Sequence, residues 1–283
     1  RVLDADGADM SLEALREFLR GFLAEQQDSE FVDALRGSSL GRQLIAGQIP
    51  LDWGLATLYA DPPEKVLPQA DIPRDQYLLN DLKRILNSAS NRLLISSAYF
   101  VPGKRGVALF ADKEADGVDV RILTNSLSTT DVAIVHSGYS RYRRPLLEHG
   151  VELWELRAEA GQPQRMRWFH GESRASLHAK TLVIDDDRSF IGSVNLDGRS
   201  LIQNTEVGLL IESPSLNQQL SDLFDRWVAS DSAWQLSLDE EQQLQWQATD
   251  DGTPITLDRD PETSGWQRFR VWLLSLLPIE SQI

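Results

Sequence analysis

The sequence predicts a mixed α/β fold: a mostly parallel sheet flanked by helices, with a helical segment at the N-terminal side. Two observations predict it. Between Arg92 and Leu156, apolar β-branched runs alternate with helix-length segments, and alternating strand and helix builds a parallel sheet with helices on its faces. Two junctions, ADGVDVRIL (Ala115–Leu123) and EHGVELWEL (Glu148–Leu156), also share one pattern. A glycine closes a helix, and a β-branched residue opens the next strand.

The elements follow in order. Ser11–Glu25 spaces Leu12, Leu15, Phe18, Leu19 and Phe22 at helical intervals. Phe31–Leu35 and Leu40–Ile45 read as short helices, and Leu51–Tyr59 as a strand ended at Asp61-Pro62-Pro63. Gln76–Leu86 puts Leu78, Leu79, Leu82 and Ile85 on one helical stripe. The repeat then runs strand Arg92–Ala98, helix Lys104–Asp116, strand Val118–Thr124, helix Val132–His149, strand Val151–Leu156. A hairpin over Leu177–Val194 and a strand over Thr205–Ile211 extend the sheet, and Leu216–Val228 is a covering helix. Trp234–Leu238, Leu244–Ala248 and Pro254–Leu257 read as a small antiparallel ribbon over the sheet edge or the site. Trp266–Ile279, WQRFRVWLLSLLPI, begins amphipathic and ends nearly all apolar. It suits an interfacial helix or one packed on protein. The expected organisation is a helical connector over 1–50, an α/β domain over 51–230, the ribbon over 231–260 and the terminal helix over 261–283.

Composition narrows the function. The chain has 283 residues, no cysteine and a formal net charge of −15. No disulfide or thiolate metal site can form, and no apolar run reaches the length of a transmembrane helix. Binding to a nucleic acid ordinarily needs a basic stripe, so the acidic balance argues against a nucleic-acid partner. Arginines do gather at Arg141, Arg143 and Arg144 and at Arg165, Arg167 and Arg174, where they read as a draw for anionic head groups or as a solvated face.

The chemistry concentrates in His178–Asn195, HAKTLVIDDDRSFIGSVN. Residues two apart on a strand share a face, so His178 and Lys180 point one way. Ser193 and Asn195 form a second polar pair. Histidine serves as nucleophile or proton carrier, and Lys180 supplies a compact cation for phosphoryl oxygens. The serine and asparagine add neutral donors. Asp185 lies an odd number of residues from both His178 and Lys180, so it is expected to face away and hold the turn to Arg188. Glu206, in the alternating run NTEVGLLI, is the expected partner for the His178 ring, fixing its tautomer.

This block resembles the HxKxxxxD…GSxN signature of the phospholipase D superfamily, matched by His178, Lys180, Asp185, Gly192, Ser193 and Asn195. The resemblance implies two copies of the motif per site, a phosphohistidine intermediate, a second histidine as general acid then base, and no metal or other cofactor. A second copy is absent here: none of His136, His149 and His170 has a lysine two residues on. The chain therefore reads as the C-terminal half of a two-motif protein whose N-terminal half carries the other motif; a single-motif homodimer is the alternative. The lack of an initiator methionine and of a secretion signal, and the residues Met10–Asp61, favour the first.

Within the superfamily, SSAYFVPG (Ser96–Gly103), Leu123–Leu156, Leu177–Ser200 and NTEVGLLIESP (Asn204–Pro214) resemble bacterial cardiolipin synthases, as does WQR…WLLSLLPIE at the C-terminal side. The type resembled lacks N-terminal membrane helices. The resemblance implies phosphatidyl transfer to phosphatidylglycerol from a second phosphatidylglycerol or from phosphatidylethanolamine, on a membrane surface. It implies a peripheral protein of the bacterial inner membrane, its cytoplasmic side included. Tyr99 and Phe100 are expected to line the pocket, and Asn125 and Ser126 to contact head groups. Hydrolysis by a phospholipase D or another phosphodiesterase is the runner-up, and an inactive fragment or interaction module the third reading.

Overall fold

A computed structural model of the protein describes residues 11–26, 30–48, 51–67, 72–158 and 176–276. It separates into two units, 1–52 and 53–283. The first holds three helices, α1 (Leu12–Gln26), α2 (Glu30–Gly37) and α3 (Ser39–Ala46). Ser38 caps α3 by accepting from the Gly41 N–H at 2.9 Å, and Gly47 ends it in the left-handed region at φ 64°.

The second unit is built on one ten-stranded sheet. Its strands are β1 (Leu55–Ala60), β2 (Arg92–Ser97), β3 (Asp119–Asn125), β4 (Glu152–Leu156), β5 (Lys180–Ile184), β6 (Arg188–Gly192), β7 (Val207–Glu212), β8 (Ala233–Leu238), β9 (Leu244–Asp250) and β10 (Thr253–Leu257). They lie in the order β1-β7-β6-β5-β2-β3-β4-β8-β9-β10. Only β2–β3 and β3–β4 pair parallel; the other seven of nine pairings are antiparallel. The mixed α/β class stands, but the sheet is parallel only at its centre. Helical crossovers are what parallel pairing requires, and they occur only between Arg92 and Leu156. Every later strand is added by antiparallel pairing.

The remaining helices are α4 (Leu78–Asn87), α5 (Gly103–Ala115), α6 (Ala133–Ser140), α7 (Arg143–Glu148), α8 (Gly198–Ile202), α9 (Pro214–Trp227) and α10 (Gly265–Ser275). The single helix expected over Val132–His149 is two. Pro145 lacks an N–H and its ring opposes the carbonyl four residues back, at Arg141, where the chain breaks. One face of the sheet packs Leu93, Ile95, Val120, Ile122, Leu182, Ile184 and Phe190 beneath α4, α5 and α7. The other packs Leu94, Leu123, Trp154 and Val183 around Phe224 of α9. β2 is buried on both faces, which is why RLLISS reads as an almost unbroken apolar run.

The expected ribbon is not a separate body over the edge. β8 pairs with β4, so β8–β10 continue the main sheet. α10 packs on α6 and is closed at its start by a Ser264/Gln267 capping box. The last part of the expected terminal helix, 277–279, lies outside the described residues. Among the described residues no helix is long and apolar enough to cross a membrane.

Candidate active site

The motif residues gather at one end of the central sheet, where the parallel strand β2 ends. Open α/β sheets bind ligands at the carboxyl ends of their parallel strands. His178 lies in the extended segment entering β5 and is exposed. Two clamps hold that segment. The Asn125 amide donates to the Ala98 and Leu177 carbonyls at 3.0 Å each, and its oxygen accepts from the Leu177 N–H at 2.9 Å. Ala98 N–H donates to the Ala179 carbonyl at 3.1 Å. Lys180 sits opposite Ser97 in the β2–β5 ladder, and its ammonium donates to the His178 backbone carbonyl at 2.9 Å.

The Gly192-Ser193-Val194-Asn195 turn comes off β6. A Cβ on Gly192 would lie 2.5 Å from the Val207 carbonyl oxygen, so only glycine lets β6 and β7 approach here. The Ser193 hydroxyl donates to the Glu206 carboxylate at 2.5 Å and accepts from the Val207 N–H at 3.1 Å. Asn195 accepts from the Tyr99 N–H at 3.4 Å. Ser97 Oγ donates to the Tyr99 carbonyl and accepts from the Leu196 N–H, at 2.8 and 3.1 Å, tying the end of β2 to this turn.

Glu206 is buried, with Asn204 as a second donor to its carboxylate at 3.2 Å. The hydrogen bonds recorded to the Glu206 carboxylate come from Ser193 and Asn204, and the expected one from the His178 ring is not among them. The Glu206 backbone is set by Asp61. Asp61 N–H donates to the Glu206 carbonyl at 2.8 Å, and the Asp61 carboxylate accepts from the Glu206 N–H at 3.0 Å. Asp61 escaped the sequence reading. The one signal was an acid placed directly after a strand and before Pro-Pro.

Burial lowers the Lys180 pKa, and the nearby carboxylates of Glu206, Asp197 and Asp131 only partly restore it. The Tyr99 phenol donates to Asp131 at 2.8 Å; burial and this bond push its pKa up to about 12. Asp197 is buried and caps α8, accepting from the Ser200 N–H at 2.9 Å.

The other expected site residues lie elsewhere. The Asp185 carboxylate accepts from the N–H groups of Ser90, Asn91 and Arg92 at 3.0, 2.8 and 3.2 Å and pairs with Arg188 at 2.9 Å. It holds the β5–β6 turn and the entry to β2, away from the reaction side. Phe100 is buried among Phe110 and Tyr139 and lines no open surface. Asn125 spends its side chain on backbone, and Ser126 is buried against Ser128 and Thr129. Neither is placed to meet a head group. Arg143 is likewise unavailable to an anion: it is buried between Glu155 and Asp260, 2.7 Å from each. Its pKa lies above the ordinary value, because those carboxylates outweigh the burial that opposes its charge. Arg165, Arg167, His170 and Arg174 fall outside the described residues. Among the described residues no group of three or more His, Asp or Glu side chains is arranged to hold a metal ion.

An exposed histidine, a lysine beside it and a serine–asparagine turn backed by a carboxylate thus gather at one end of the sheet. Residues 82–228 match the family described as "Cardiolipin synthase, PLD-like domain", and the chain belongs to that phospholipase D-like family. It is 40% identical to cardiolipin synthase C of Escherichia coli (strain K12) over 92% of this chain and 53% of that one. It is 29% identical to cardiolipin synthase B of Salmonella typhi over 52% of this chain and 32% of that one. The chain thus spans about half, or less, of the length of these relatives. A solved phospholipase D family member from Salmonella typhimurium aligns with 64% of the chain and 97% of its own length, at 16% identity and a TM-score of 0.45.

Proposed function

We propose that this chain supplies one of two half-sites of a phosphatidyltransferase that makes cardiolipin. One histidine attacks the phosphorus of a donor phosphatidylglycerol. The bond from phosphorus to the head-group oxygen breaks, and the second histidine protonates the departing glycerol. The phosphatidyl-histidine is then attacked by the terminal hydroxyl of an acceptor phosphatidylglycerol, whose proton passes to the second histidine. Cardiolipin leaves and the nucleophile is freed. With phosphatidylethanolamine as donor, ethanolamine leaves instead. His178 fills one of these two roles. Lys180 and the Asn195 amide stabilise the phosphoryl oxygens. Ser193, held by Glu206, fixes the turn that carries Asn195.

The observation that carries the proposal is the convergence of His178, Lys180, Ser193 and Asn195 at one sheet end, within a chain matched to this family. A partner half is supported by an apolar strip beside the site. Leu58 and Leu209 face each other across β1–β7, Val207 follows Glu206, and all three are exposed. A protein surface covering that strip would sit next to His178's side of the sheet end.

The test is lipid analysis of a synthase-deficient bacterial host expressing the full-length protein. New cardiolipin, lost with His178→Ala, is expected. Phosphatidic acid without cardiolipin would replace transfer by hydrolysis. An active homodimer of this chain alone would overturn the need for an upstream half.

A further inference from the structure

We infer that the cleft between α4, α5 and α8 binds the acyl chain of an anionic phospholipid; this rests on the phosphatidyl-transfer reading. The cleft has a volume of about 270 Å³, near the lower end of the range of small-ligand pockets, ~300–1,000 Å³. Its walls are aliphatic and aromatic: Leu79 and Leu86 from α4, Leu109 and Phe110 from α5, Leu201 and Ile202 from α8. An open apolar cleft of this kind calls for an apolar occupant.

Two features select a lipid tail with a negative head. Lys83 and Arg105 also line the cleft. Among the described residues neither makes an ion pair or a side-chain hydrogen bond, in a chain of net charge −15 that offers many carboxylates. An apolar trough with two unengaged cations complements an amphiphile whose head is anionic. The cleft also shares a wall with the active site. Leu196 lines it and directly follows Asn195, and α8 behind it is capped by Asp197, one of the carboxylates acting on Lys180. The turn that positions the asparagine therefore also forms the cleft.

The test is calorimetric titration of the full-length protein, carrying His178→Ala to prevent turnover, with octyl, decyl and dodecyl phosphate below their micelle concentrations. Each buried methylene should raise affinity about fourfold, so decyl phosphate should bind about fifteenfold tighter than octyl phosphate. Leu79→Trp, or independently Ile202→Trp, should fill the cleft and abolish that gain while circular dichroism stays native. Lys83→Glu with Arg105→Glu should weaken every member of the series at least fivefold. Affinity independent of chain length overturns the proposal, as does a gain that survives both tryptophan variants. Binding to this chain alone but not to the full-length protein would give the cleft to a segment of the other half, and also overturns it. Cardiolipin synthesis without a chain-length effect sinks the cleft alone. A chain-length effect without synthesis sinks the transfer reading alone.

Discussion

Replacing Asp61 with alanine should destabilise the α/β unit by roughly 3–5 kcal/mol and unseat Glu206. The Asp61 carboxylate accepts from the Leu78 N–H at 2.9 Å, the Glu206 N–H at 3.0 Å and the Lys65 ammonium at 2.8 Å. The Lys65 and Asp61 side chains are at most 1% exposed. Removing one partner of a buried ion pair costs ~3–5 kcal/mol, because the surviving charge stays buried. Lys65 would keep only the Leu201 carbonyl at 3.2 Å and the face of Tyr77. The two orphaned N–H groups add ~1–3 kcal/mol each in isolation, but they share one carboxylate with the ion pair, so the sum is not additive. Urea unfolding measures the loss; at a slope of ~2–3 kcal/mol per molar the midpoint should fall by ~1–2.5 M. Asp61→Ala combined with Lys65→Met should recover much of it, since no bare ammonium remains. A loss below ~1 kcal/mol, or a double variant no better than the single one, would refute the reasoning.

Four further outcomes are expected. Asp185→Asn should cost ~1.5–3 kcal/mol, the range for hydrogen bonds to a charged group. Burial pushes the Asp185 carboxyl up, but three backbone N–H groups and Arg188 outweigh it and hold the pKa below 3.8. Its contribution is then present above about pH 4 and lost as pH falls through the folded value, so the variant's deficit in acid titrations of stability should shrink below that pH. Arg143→Met should cost ~3–5 kcal/mol in thermal or urea melts by stranding the fully buried Glu155; a neutral result would show that Trp246, which donates to Glu155 at 3.0 Å, suffices. On the proposed mechanism, Ser193→Ala should lower formation of the phosphohistidine, read by acid-quench labelling of the full-length protein, about tenfold while leaving the melting temperature within a few degrees; an unchanged rate removes Ser193 from the site. Replacing Trp266, Phe269 and Trp272, an exposed aromatic row on α10 with successive ring centroids 5.7 and 5.9 Å apart, by serine should weaken flotation with anionic liposomes; undiminished flotation rules out that helix as a membrane contact.

What was legible in the sequence had a local cause. β2, β3 and β4 carry apolar runs because both their faces are buried, and the junctions into β3 and β4 each have a glycine, Gly117 and Gly150. The pairing of β8 with β4 was not legible, since partner choice among edge strands is decided by tertiary packing. The break before α7 was signalled by Pro145, yet the apolar periodicity ran straight across it. At the site, the motif named the groups but not their bonds. Tyr99 and Phe100 are neighbours that point opposite ways, one toward Asp131 and one into the core, and alternation alone does not say which. Asn125 looked like a ligand contact because it is polar at a strand end. It is consumed there by the backbone of Leu177, which must be satisfied once buried. Glu206 is expected to hold the histidine ring, but one donor recorded on its carboxylate is a hydroxyl thirteen residues earlier, which alternation along one strand does not reveal.

The charges around Lys180 bear on the proposed substrate and on the proposed second half-site. Among the described residues, the carboxylates of Glu206, Asp197 and Asp131 all raise the pKa of this ammonium against its burial. On the proposed reading, a phosphodiester entering here meets these carboxylates with Lys180 as the described cation beside them. The second motif that the proposed function calls for would bring another lysine and another histidine to the same phosphate. A phospholipid presents one phosphate and two apolar tails, so a point cation at the site and apolar surface beside it are the complement it requires.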